Sequence, residues 1–547
     1  MRLESRSAAK ITPAKMWTQT YAPLNGNLAF SAVVAALPLV VMLVLLGVAR
    51  KPAWIAGLAA CASAAAVALF VYHMPMAVTA STVFYGAAYG ILPIGWIIFT
   101  AMLLYRLTVE TGKFEIIKDS IAGLTGDRNV QALLVAFTFG AFIEGAAGFG
   151  TPVAVAAPML VGLGFQPFYA AAICLLANTS PVAFGSIGTP LVMLQTVTGV
   201  PVGALSANVG RICAPMSLCV PAYMVLVMGG LPALRVAAPA AAVCGVTFAG
   251  TQFLVSNFVG PYLTDILASL VALVALVILL MVWQPGKVPV TRRRHATSEL
   301  ISAWAPYLLL VVFVLLWGSD SVKAVLNRAT VTLAWPGLDR HVLRVPPVVV
   351  AAAPYAAPFT LNLLSAAGTS CLFAVFGLAL LFRVAPARLA HWTWLTAKQL
   401  ALPMVTIMSV LALAFLMNYS GATATLGLVA AATGKLFPFF GVVLGWLGVF
   451  LTGSDTSANA LFGNLQVLTA TRLGLNPALM AAANSSGGVV GKMISLQNIA
   501  VAAAATGLAS HEEGKLFRFT LRHSVLFAIM IGLLVVFYAY VVPQWVR

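Results

Sequence analysis

The sequence has few charged residues. Asp, Glu, Lys and Arg make up only 8% of its 547 residues, whereas 61% are hydrophobic and the mean hydropathy is +1.01. A soluble domain carries roughly 25% charged residues, and a soluble chain this apolar would expose large hydrophobic patches and aggregate. The composition therefore excludes a soluble globular protein. Many apolar runs reach about 20 residues, enough to cross a bilayer as a helix, and they lack the alternation of a β-barrel.

Cysteine is also scarce. The six cysteines all lie in apolar stretches: Cys61, Cys174, Cys213, Cys219, Cys244 and Cys371. Without a CxxC spacing or a Cys/His cluster, they are interpreted as small core residues rather than metal ligands.

Nucleotide and zinc motifs are missing as well. The segment 486–493 resembles a phosphate loop but lacks its first Gly and its closing Ser or Thr, and His511-Glu512 lacks the second His of a zinc-protease helix. We therefore expect no cofactor, no metal, no ATP drive within this chain and no enzymatic activity.

Acidic residues are outnumbered, because 30 Lys and Arg against 13 Asp and Glu give a net charge of +17. The cations gather between apolar runs, at Arg50-Lys51, Lys287, Arg292–Arg294 and Arg383/Arg388. Positive loops of this kind fix membrane topology at the cytoplasmic face. The charge therefore indicates a lipid bilayer, and no nucleic-acid partner is expected.

The closely spaced apolar runs predict an all-α polytopic membrane protein with about twelve to fourteen spans. The expected organisation is a polar N-terminal segment (1–27), a first transmembrane half (28–283), linking spans and loops (284–358) and a second half (359–547). The run at 28–48 is too long for a signal-peptide core and is interpreted as a retained span. Residues 206–229 and 236–256 are interpreted as separate spans, and the proline-rich stretch 319–358 as a loop holding a surface helix.

Short motifs recur in the same order 306 to 310 residues apart. The pairs are Leu92-Pro93 and Leu402-Pro403, Thr111-Gly112 and Ser420-Gly421, Phe142–Gly145 and Phe450–Gly453, Gly164–Pro167 and Gly474–Pro477, Ala177–Ser180 and Ala483–Ser486, and Gly185 and Gly491. Compositional coincidence is the alternative in a chain with 45 glycines. Six ordered matches nevertheless predict two structural repeats, with cores at about 90–200 and 400–507.

Each repeat contains stretches that are too polar and too rich in glycine and proline for a lipid-facing helix. They lie at 145–152, 178–181 and 185–190 in the first repeat, and at 452–459 and 484–488 in the second. Backbone groups freed at membrane depth must be buried in protein or line a wet cavity. Re-entrant or broken helices in corresponding positions of two repeats are typical of transporters, whose sites lie where the repeats meet.

Glu144 and Asp455 are the acids set deepest in apolar sequence. A charged acid at the centre of a span costs about 2.5–3.5 kcal/mol on insertion scales, and burial disfavours the charged form of a carboxyl group. We therefore expect both acids to form a proton or cation site. Helix capping is the alternative, and for Asp455 the residues that follow fit a helix start equally well.

Two polar triplets inside apolar helices are expected to bind substrate: Asn178, Thr179 and Ser180, and Asn484, Ser485 and Ser486. Their amides and hydroxyls, with nearby helix N-termini, could hold a small carboxylate or hydroxyl group. Hydrogen bonding between helices is the alternative, since these residue types do this routinely in membranes.

Arg211 and Lys492 are lone cations in apolar sequence. Either could neutralise a substrate carboxylate, which would otherwise enter the membrane unpaired. For Arg211 the alternative is a residue at the end of a span that reaches the lipid headgroups.

Several long motifs resemble the bacterial L-lactate permease family. They are Gly140–Gly150, Asn178–Pro190, Asn418–Gly421, Gly445–Ser457 and Gly491–Ile494. The resemblance implies a symporter of the cytoplasmic membrane that takes up lactate, often glycolate too, with protons. It also implies inverted repeats with re-entrant hairpins, as in the wider group of ion-coupled carboxylate carriers.

The prediction is therefore a multi-pass secondary active transporter of the bacterial inner membrane. It would import L-lactate and related 2-hydroxy monocarboxylates, such as glycolate, by proton symport, with D-lactate as a further candidate. Alternating access would occur around a midplane site between the repeats. A sodium-coupled carrier or a carrier of another carboxylate is the alternative, and a channel would differ by showing no accumulation against a gradient. A homo-oligomer is compatible with the sequence.

Overall fold

The computed structural model describes residues 16–49, 51–122, 124–148, 150–283, 296–509 and 512–546. Ten helices in these ranges are long and apolar enough to cross a membrane, and the count reaches twelve when each of two bent helix pairs forms one span. The prediction of an all-α polytopic membrane protein is confirmed. These counts take the helix Val202–Phe258 as one, although it contains two spans, as described below. Some residues discussed above lie outside the described ranges: 1–15, Arg50, Phe149, Lys287, Arg292–Arg294 and His511.

In the first half, the described helices are α1 (Leu28–Leu43), α2 (Ala53–Phe70), α3 (Met76–Tyr89), α4 (Trp96–Glu110), α5 (Lys113–Ala122), α6 (Arg128–Ala132), α7 (Gly140–Ala146), α8 (Thr151–Gly162), α9 (Pro167–Ala177), α10 (Gly185–Thr198), α11 (Val202–Phe258) and α12 (Thr264–Val282). π-helical turns extend α1 (Val44–Val48) and join α6 to α7 (Leu133–Phe139), and a segment that is kinked at Leu92 joins α3 to α4 (Gly90–Gly95). A 3₁₀ turn at Val182–Phe184 precedes α10. Polar residues cap several starts, as where the Asn27 side chain accepts a hydrogen bond from Phe30 N.

In the second half, the described helices are α13 (Thr297–Gly318), α14 (Asp320–Leu326), α15 (Ala367–Leu381), α16 (Pro386–Ser420), α17 (Ala422–Ala430), α18 (Phe437–Thr452), α19 (Asp455–Leu473), α20 (Pro477–Gly491), α21 (Leu496–Thr506) and α22 (Glu513–Tyr540). 3₁₀ turns occur at Asn327–Ala329, Ala431–Leu436, Lys492–Ile494 and Pro543–Val546. The turn at Lys492–Ile494 separates α20 from α21.

The loop at 319–358 contains the short helix α14, as predicted, but also strands that the sequence did not predict. One sheet orders β1 (Trp17–Thr18), β3 (Val342–Arg344) and β4 (Ala353–Pro354), and a second pairs β2 (Val331–Ala334) with β5 (Pro358–Leu361). Strands of two to four residues are too short to show an alternating pattern. They tie the loop to the N-terminal segment, because β1 pairs with β3.

The two repeats appear directly in the order and length of the helices. The span 76–110, which contains α3 and α4, and the helix α16 at 386–420 are both 35 residues long and begin 310 residues apart. The turns that follow them contain Gly112 and Gly421, and later turns contain Gly164 and Gly474, all four with positive φ. Because these matched glycines adopt the same rare backbone conformation, the sequence matches reflect a structural repeat rather than composition.

One pair of matched spans has the antiparallel arrangement that inverted repeats require. The span 76–110 packs against α16 with Gly86 beside Ala412, Gly90 beside Met408 and Gly95 beside Met404. Positions rise along one helix as they fall along the other, so these two repeat-related spans run antiparallel. Close approach requires glycine here, since a Cβ on Gly86 would lie 2.6 Å from the Ala412 Cα.

The long helix α11 is a hairpin of two spans. Gly229 and Gly230 have non-helical backbone angles, and beyond them the chain returns, because Ser206 Oγ donates to the Ser256 carbonyl at 2.8 Å. The prediction of two spans, at 206–229 and 236–256, is confirmed.

Each repeat contains a helix pair that is bent at a break. The pair 167–177 and 182–198 is bent by 65°, and the pair 477–494 and 496–506 is bent by 41°. Beyond each break, the second helix packs against the opposite repeat: α10 against α19, and α21 against α8. Because the helix after each break crosses to the other repeat, the two breaks lie in the same region of the protein.

Candidate functional site

A cavity of about 440 Å³ lies where the interrupted segments of the two repeats meet. It is lined by residues within 144–151 and 182–190 of the first repeat, and within 452–457 and 492–498 of the second. A further wall comes from α2, from Met102 of α4 and from residues 399–407 of α16. Much of the polar, glycine-rich sequence of both repeats thus borders one shared space.

Three helices begin at or beside this cavity: α8 at Thr151, α19 at Asp455 and α21 at Leu496. The start of α10 also borders it, but residues 186–188 have positive φ and non-helical backbone, so its regular turns begin beyond Gly188. The first N–H groups of a helix have no intrahelical acceptor and lie at the positive end of its dipole. Serine side chains satisfy some of them, since Ser454 Oγ accepts from Ser457 N and Ser495 Oγ accepts from Asn498 N. The convergence of helix N-termini favours an anion in the cavity.

Glu144 and Lys492 form an ion pair in the lining of the cavity. Lys492 Nζ donates to Glu144 Oε1 at 2.5 Å, and the two residues are only 6% and 2% exposed. Glu144 Oε2 has no hydrogen-bond partner among the described residues. Gly185 makes room for this arrangement, because a Cβ there would lie 2.6 Å from Glu144 Oε1.

Asp455 lines the cavity from the second repeat. Its Oδ2 accepts from Ser485 Oγ at 2.5 Å and from Asn459 Nδ2 at 3.2 Å, whereas Oδ1 has no partner among the described residues. The capping alternative for Asp455 is not what the structure shows, since the side chain of Ser454 caps α19. Asp455 is therefore a buried carboxyl group with one oxygen still free.

The triplet at 484–486 lies behind the cavity rather than in its lining. Asn484 Nδ2 donates to Asn459 Oδ1 at 2.9 Å, and Asn484 Oδ1 accepts from Gln466 Nε2 at 3.2 Å. Ser485 binds Asp455, and Ser486 Oγ accepts from the Cys213 thiol at 3.6 Å. In this conformation the triplet makes the bonds between helices that were the alternative interpretation, and it holds Asp455 in place.

The triplet at 178–180 also lies outside the cavity lining. Thr179 Oγ1 donates to the Leu176 carbonyl at 2.8 Å, and the Ser180 carbonyl accepts from Gln252 Nε2 at 3.0 Å. Thr179 and Ser180 instead border a separate void of about 10 Å³. Asn178 ends α9, and its Oδ1 has no partner among the described residues.

Arg211 lies away from the cavity. Its Nε donates to Asn257 Oδ1 at 2.8 Å, and its Nη1 bonds the Trp545 carbonyl. These contacts join the start of α11 to its returning arm and to the C-terminal segment. The geometry matches the alternative of a residue at the end of a span.

The sequence interpretation missed two buried polar residues beside the site. Asn459 Nδ2 donates to the Pro190 carbonyl at 3.1 Å and so links the repeats. Asp265, in the first turn of α12, is 1% exposed and lies next to the end of α7. Asn459 could have been found from its position one helical turn after Asp455, whereas Asp265 looked like an ordinary residue at the start of a span.

The described residues contain no group of three or more His, Cys, Asp and Glu that could hold a metal ion. The charged groups in the cavity lining are the two acids Glu144 and Asp455 and the cation Lys492.

Comparison with known proteins matches almost the whole chain. A family model described as L-lactate permease matches residues 31–542. The L-lactate permease of Bacillus subtilis is 44% identical over 97% of this chain and 99% of its own length. The L-lactate permease of Escherichia coli K12 is 43% identical over 96% of this chain and 98% of its own length. The glycolate permease GlcA of the same strain is 42% identical over the same shares.

Proposed function

The chain belongs to the L-lactate permease family, and on this basis we propose that it imports L-lactate and related 2-hydroxy monocarboxylates by proton symport. Glycolate is included because a similar relative is named a glycolate permease, and D-lactate is a further candidate. The protein is a multi-pass membrane protein, and we place it in the bacterial cytoplasmic membrane.

The observation that carries the proposal is the ion pair between Glu144 and Lys492 in the cavity lining. A lactate carboxylate can replace that of Glu144 on the Lys492 ammonium. Glu144 would then be an unpaired buried carboxylate, which is costly, unless it takes up a proton. One carboxylate and one proton therefore enter together, and the net charge of the site is unchanged.

Ser186 is the proposed partner of the substrate hydroxyl. It lines the cavity, and its Oγ has no hydrogen-bond partner among the described residues. Ser186 and Ile187 both have positive φ, 48° and 56°, and such strained positions cluster at functional sites. A hydroxyl donor in the same lining as Lys492 would favour 2-hydroxy acids over simple carboxylates of the same size.

In the proposed mechanism, the two polar triplets and Arg211 do not contact the substrate. The triplet at 484–486 positions Asp455, and the triplet at 178–180 belongs to the break that leads to Ser186. Arg211 anchors the end of a span.

The size of the cavity is consistent with a small substrate. Lactate has the volume of about three to four water molecules, on the order of 100 Å³ at ~30 Å³ per water. A cavity of about 440 Å³ admits lactate together with water, as expected before a carrier closes around its substrate. The wall made by α2, α4 and α16 faces the helix breaks, and alternating access would change which side of the membrane reaches the space between them.

Sodium coupling is a second candidate, and Asp455 is the observation that favours it. Asp455 Oδ1 is buried and free, and the hydroxyls of Thr456 and Ser457 lie in the same lining. Oxygen ligands of this kind suit a hard cation. Asp455 could hold either a proton or a sodium ion.

Uptake of labelled lactate into proteoliposomes tests the proposal. An inward proton gradient without sodium should drive accumulation, whereas an inward sodium gradient at equal pH should not. Accumulation driven by sodium alone would identify sodium, rather than the proton, as the coupling ion. Transport without accumulation under either gradient would indicate a channel. Liposomes without protein and unlabelled propionate, which lacks the hydroxyl, are the controls.

A further inference from the structure

Gln399 lies at the opening of the cavity. It is exposed and at the same time part of the cavity lining. Pro403 and Thr406, at helical spacing along the same face of α16, continue the lining. The mechanism above gives this wall no contact with the substrate. Gln399 is therefore a polar side chain that a substrate meets when it enters or leaves the cavity on this side.

Arg106 of α4 holds the side-chain amide of Gln399 in one orientation. Its Nη2 donates to Gln399 Oε1, and its Nε donates to Thr396 Oγ1 at 2.9 Å. Because a guanidinium group can only donate, the amide must present its oxygen to Arg106. Gln399 Nε2, with its two hydrogens, is the end that remains for a substrate. Arg106 lies one helical turn after Met102, which also lines the cavity, so this arrangement borders the cavity.

The opening carries more positive than negative charge. Lys398 is exposed next to Gln399, and Lys51 is exposed just before α2, whose first residues line the cavity. Glu110 Oε1 lies 3.8 Å from Arg106 Nη1, beyond hydrogen-bond distance, and both side chains are partly exposed. Cations outnumber this acid, and their combined field attracts a carboxylate.

Pro403 leaves the backbone of Gln399 with a second polar group for a ligand. In an α-helix each N–H donates to the carbonyl four residues earlier, but proline has no N–H. The Gln399 carbonyl therefore lacks this helical donor within α16. An amide donor and a carbonyl acceptor on one residue complement a 2-hydroxy carboxylate, whose carboxylate group accepts and whose hydroxyl group donates.

The charge of the neighbouring loops indicates that the opening faces the cytoplasm. Lys51 precedes α2, and Arg383 and Arg388 flank the start of α16; such clusters mark the cytoplasmic ends of spans. The first turn of α2 borders the cavity, and Gln399 lies in the first half of α16. The opening is therefore on the side where these two helices begin.

The corresponding position of the first repeat is covered. The repeat match at Pro403 places Tyr89 where the second repeat has Gln399. Tyr89 OH donates to the Pro358 carbonyl at 2.8 Å, in the loop that joins the two halves. Tyr89 is not part of the cavity lining. The cavity is therefore reached beside Gln399 and not beside Tyr89.

From these contacts we infer that Gln399 is a substrate-binding residue at the cytoplasmic opening. Its Nε2 donates to the carboxylate of lactate, and its backbone carbonyl accepts from the 2-hydroxyl group. Arg106 is a positioning residue that fixes the amide and adds positive charge. Lactate that leaves Lys492 is held here before it reaches the cytoplasm. This inference rests on the proposed function.

Replacing Gln399 by Glu removes the donor while keeping an oxygen for Arg106. The second carboxylate oxygen would face the substrate, so the half-saturation concentration for lactate at the cytoplasmic face should rise at least about tenfold. Gln166→Glu is the matched control, because Gln166 is exposed, makes no capping bond and lies outside the lining. Its half-saturation concentration should stay within about twofold of wild type.

Comparing the two faces of the membrane gives a readout that a general structural defect would not produce. Inside-out vesicles present the cytoplasmic face to added lactate, and right-side-out vesicles present the outer face. In Gln399→Glu, the half-saturation concentration at the outer face should change by no more than about twofold, since separate sites act independently. Equal effects at both faces, or wild-type values at the cytoplasmic face, would overturn the inference.

Two measurements without lactate separate this inference from the proposed function. In a cysteine-free background, a membrane-impermeant thiol reagent should label Gln399→Cys in inside-out vesicles and not in right-side-out vesicles. The melting temperatures of Arg106→Met, Gln399→Leu and the double variant should be non-additive, because both changes remove one bond. If both results hold in a protein that moves no lactate, only the proposed function is overturned. Labelling from the outer face alone, or additive melting temperatures, would overturn the inference.

Discussion

Lys492 Nζ lies 2.5 Å from Glu144 Oε1, although 348 residues separate the two in sequence. One residue comes from each repeat, and both line the same cavity. Leaving either charge buried without its partner costs about 3–5 kcal/mol. In the proposed mechanism, a substrate anion that binds Lys492 is therefore accompanied by neutralisation of Glu144, which would link transport of the anion to a proton.

Replacing Glu144 by Gln should abolish lactate accumulation driven by a proton gradient. Gln imitates the protonated acid. The variant should therefore still exchange labelled for unlabelled lactate across the liposome membrane when the lactate concentration is equal on both sides. Uptake and exchange measured on the same preparation test both halves of the prediction. Glu115→Gln, on the exposed face of α5, should behave as wild type, and normal concentrative uptake by Glu144→Gln would remove Glu144 from the coupling.

Replacing Lys492 by Met should raise the half-saturation concentration for lactate by about ten- to 150-fold. This range follows from the loss of a hydrogen bond to a charged group, worth roughly 1.5–3 kcal/mol. The initial rate of uptake as a function of lactate concentration measures the effect. Lys435→Met is the control because Lys435 is exposed, and equal half-saturation values for the two variants would place the carboxylate elsewhere.

Replacing Gly185 by Ala should impair transport by displacing the Glu144 side chain. The new Cβ would lie 2.6 Å from Glu144 Oε1, closer than real contacts allow. Gly203→Ala adds the same methyl group where no atom of the described residues lies within 4 Å, and it should have little effect on uptake. If both variants transport equally well, the close fit of Glu144 against the break is unimportant.

Cysteines placed at Thr151 and Gln497 should be protected by lactate from a small thiol reagent. These positions come from different repeats and both line the cavity. In a cysteine-free background, the rate of labelling with and without lactate measures the protection. Cysteines at Thr179 and Ser485 should label slowly in either condition, since both positions are buried outside the lining. Lactate-dependent labelling at Thr179 and Ser485 alone would restore the triplets as the substrate site.

Much of the architecture could be predicted from the sequence because membrane burial leaves strong signals. Apolar runs locate spans, and glycines in matched turns, such as Gly112 and Gly421, mark the repeat. The small sheets could not be predicted, since their pairing depends on the N-terminal segment meeting a distant loop. Inverted repeats were implied by the family resemblance, whereas the residues alone do not show the orientation; the antiparallel contact between the span 76–110 and α16 supports it.

The candidate site was predictable in its charges but not in its arrangement. Glu144 and Lys492 stand out because isolated charge in apolar sequence is expensive, yet their pairing depends on the fold. The polar triplets were a weaker indication of the site, because Asn and Ser can form hydrogen bonds between helices as well as bind a substrate. Asn484 forms such bonds between helices. Asp265 carried no signal, since an acid at the start of a span is ordinary until its surroundings are known.

Proton uptake on lactate binding tests the central claim most directly. Purified protein in weakly buffered detergent solution is mixed with lactate, and the change in pH is recorded with an indicator dye. The account predicts that the wild type takes up close to one proton for each lactate bound, and that Glu144→Gln binds lactate without taking up a proton. Binding by the wild type with no proton uptake, or undiminished uptake by Glu144→Gln, would contradict it.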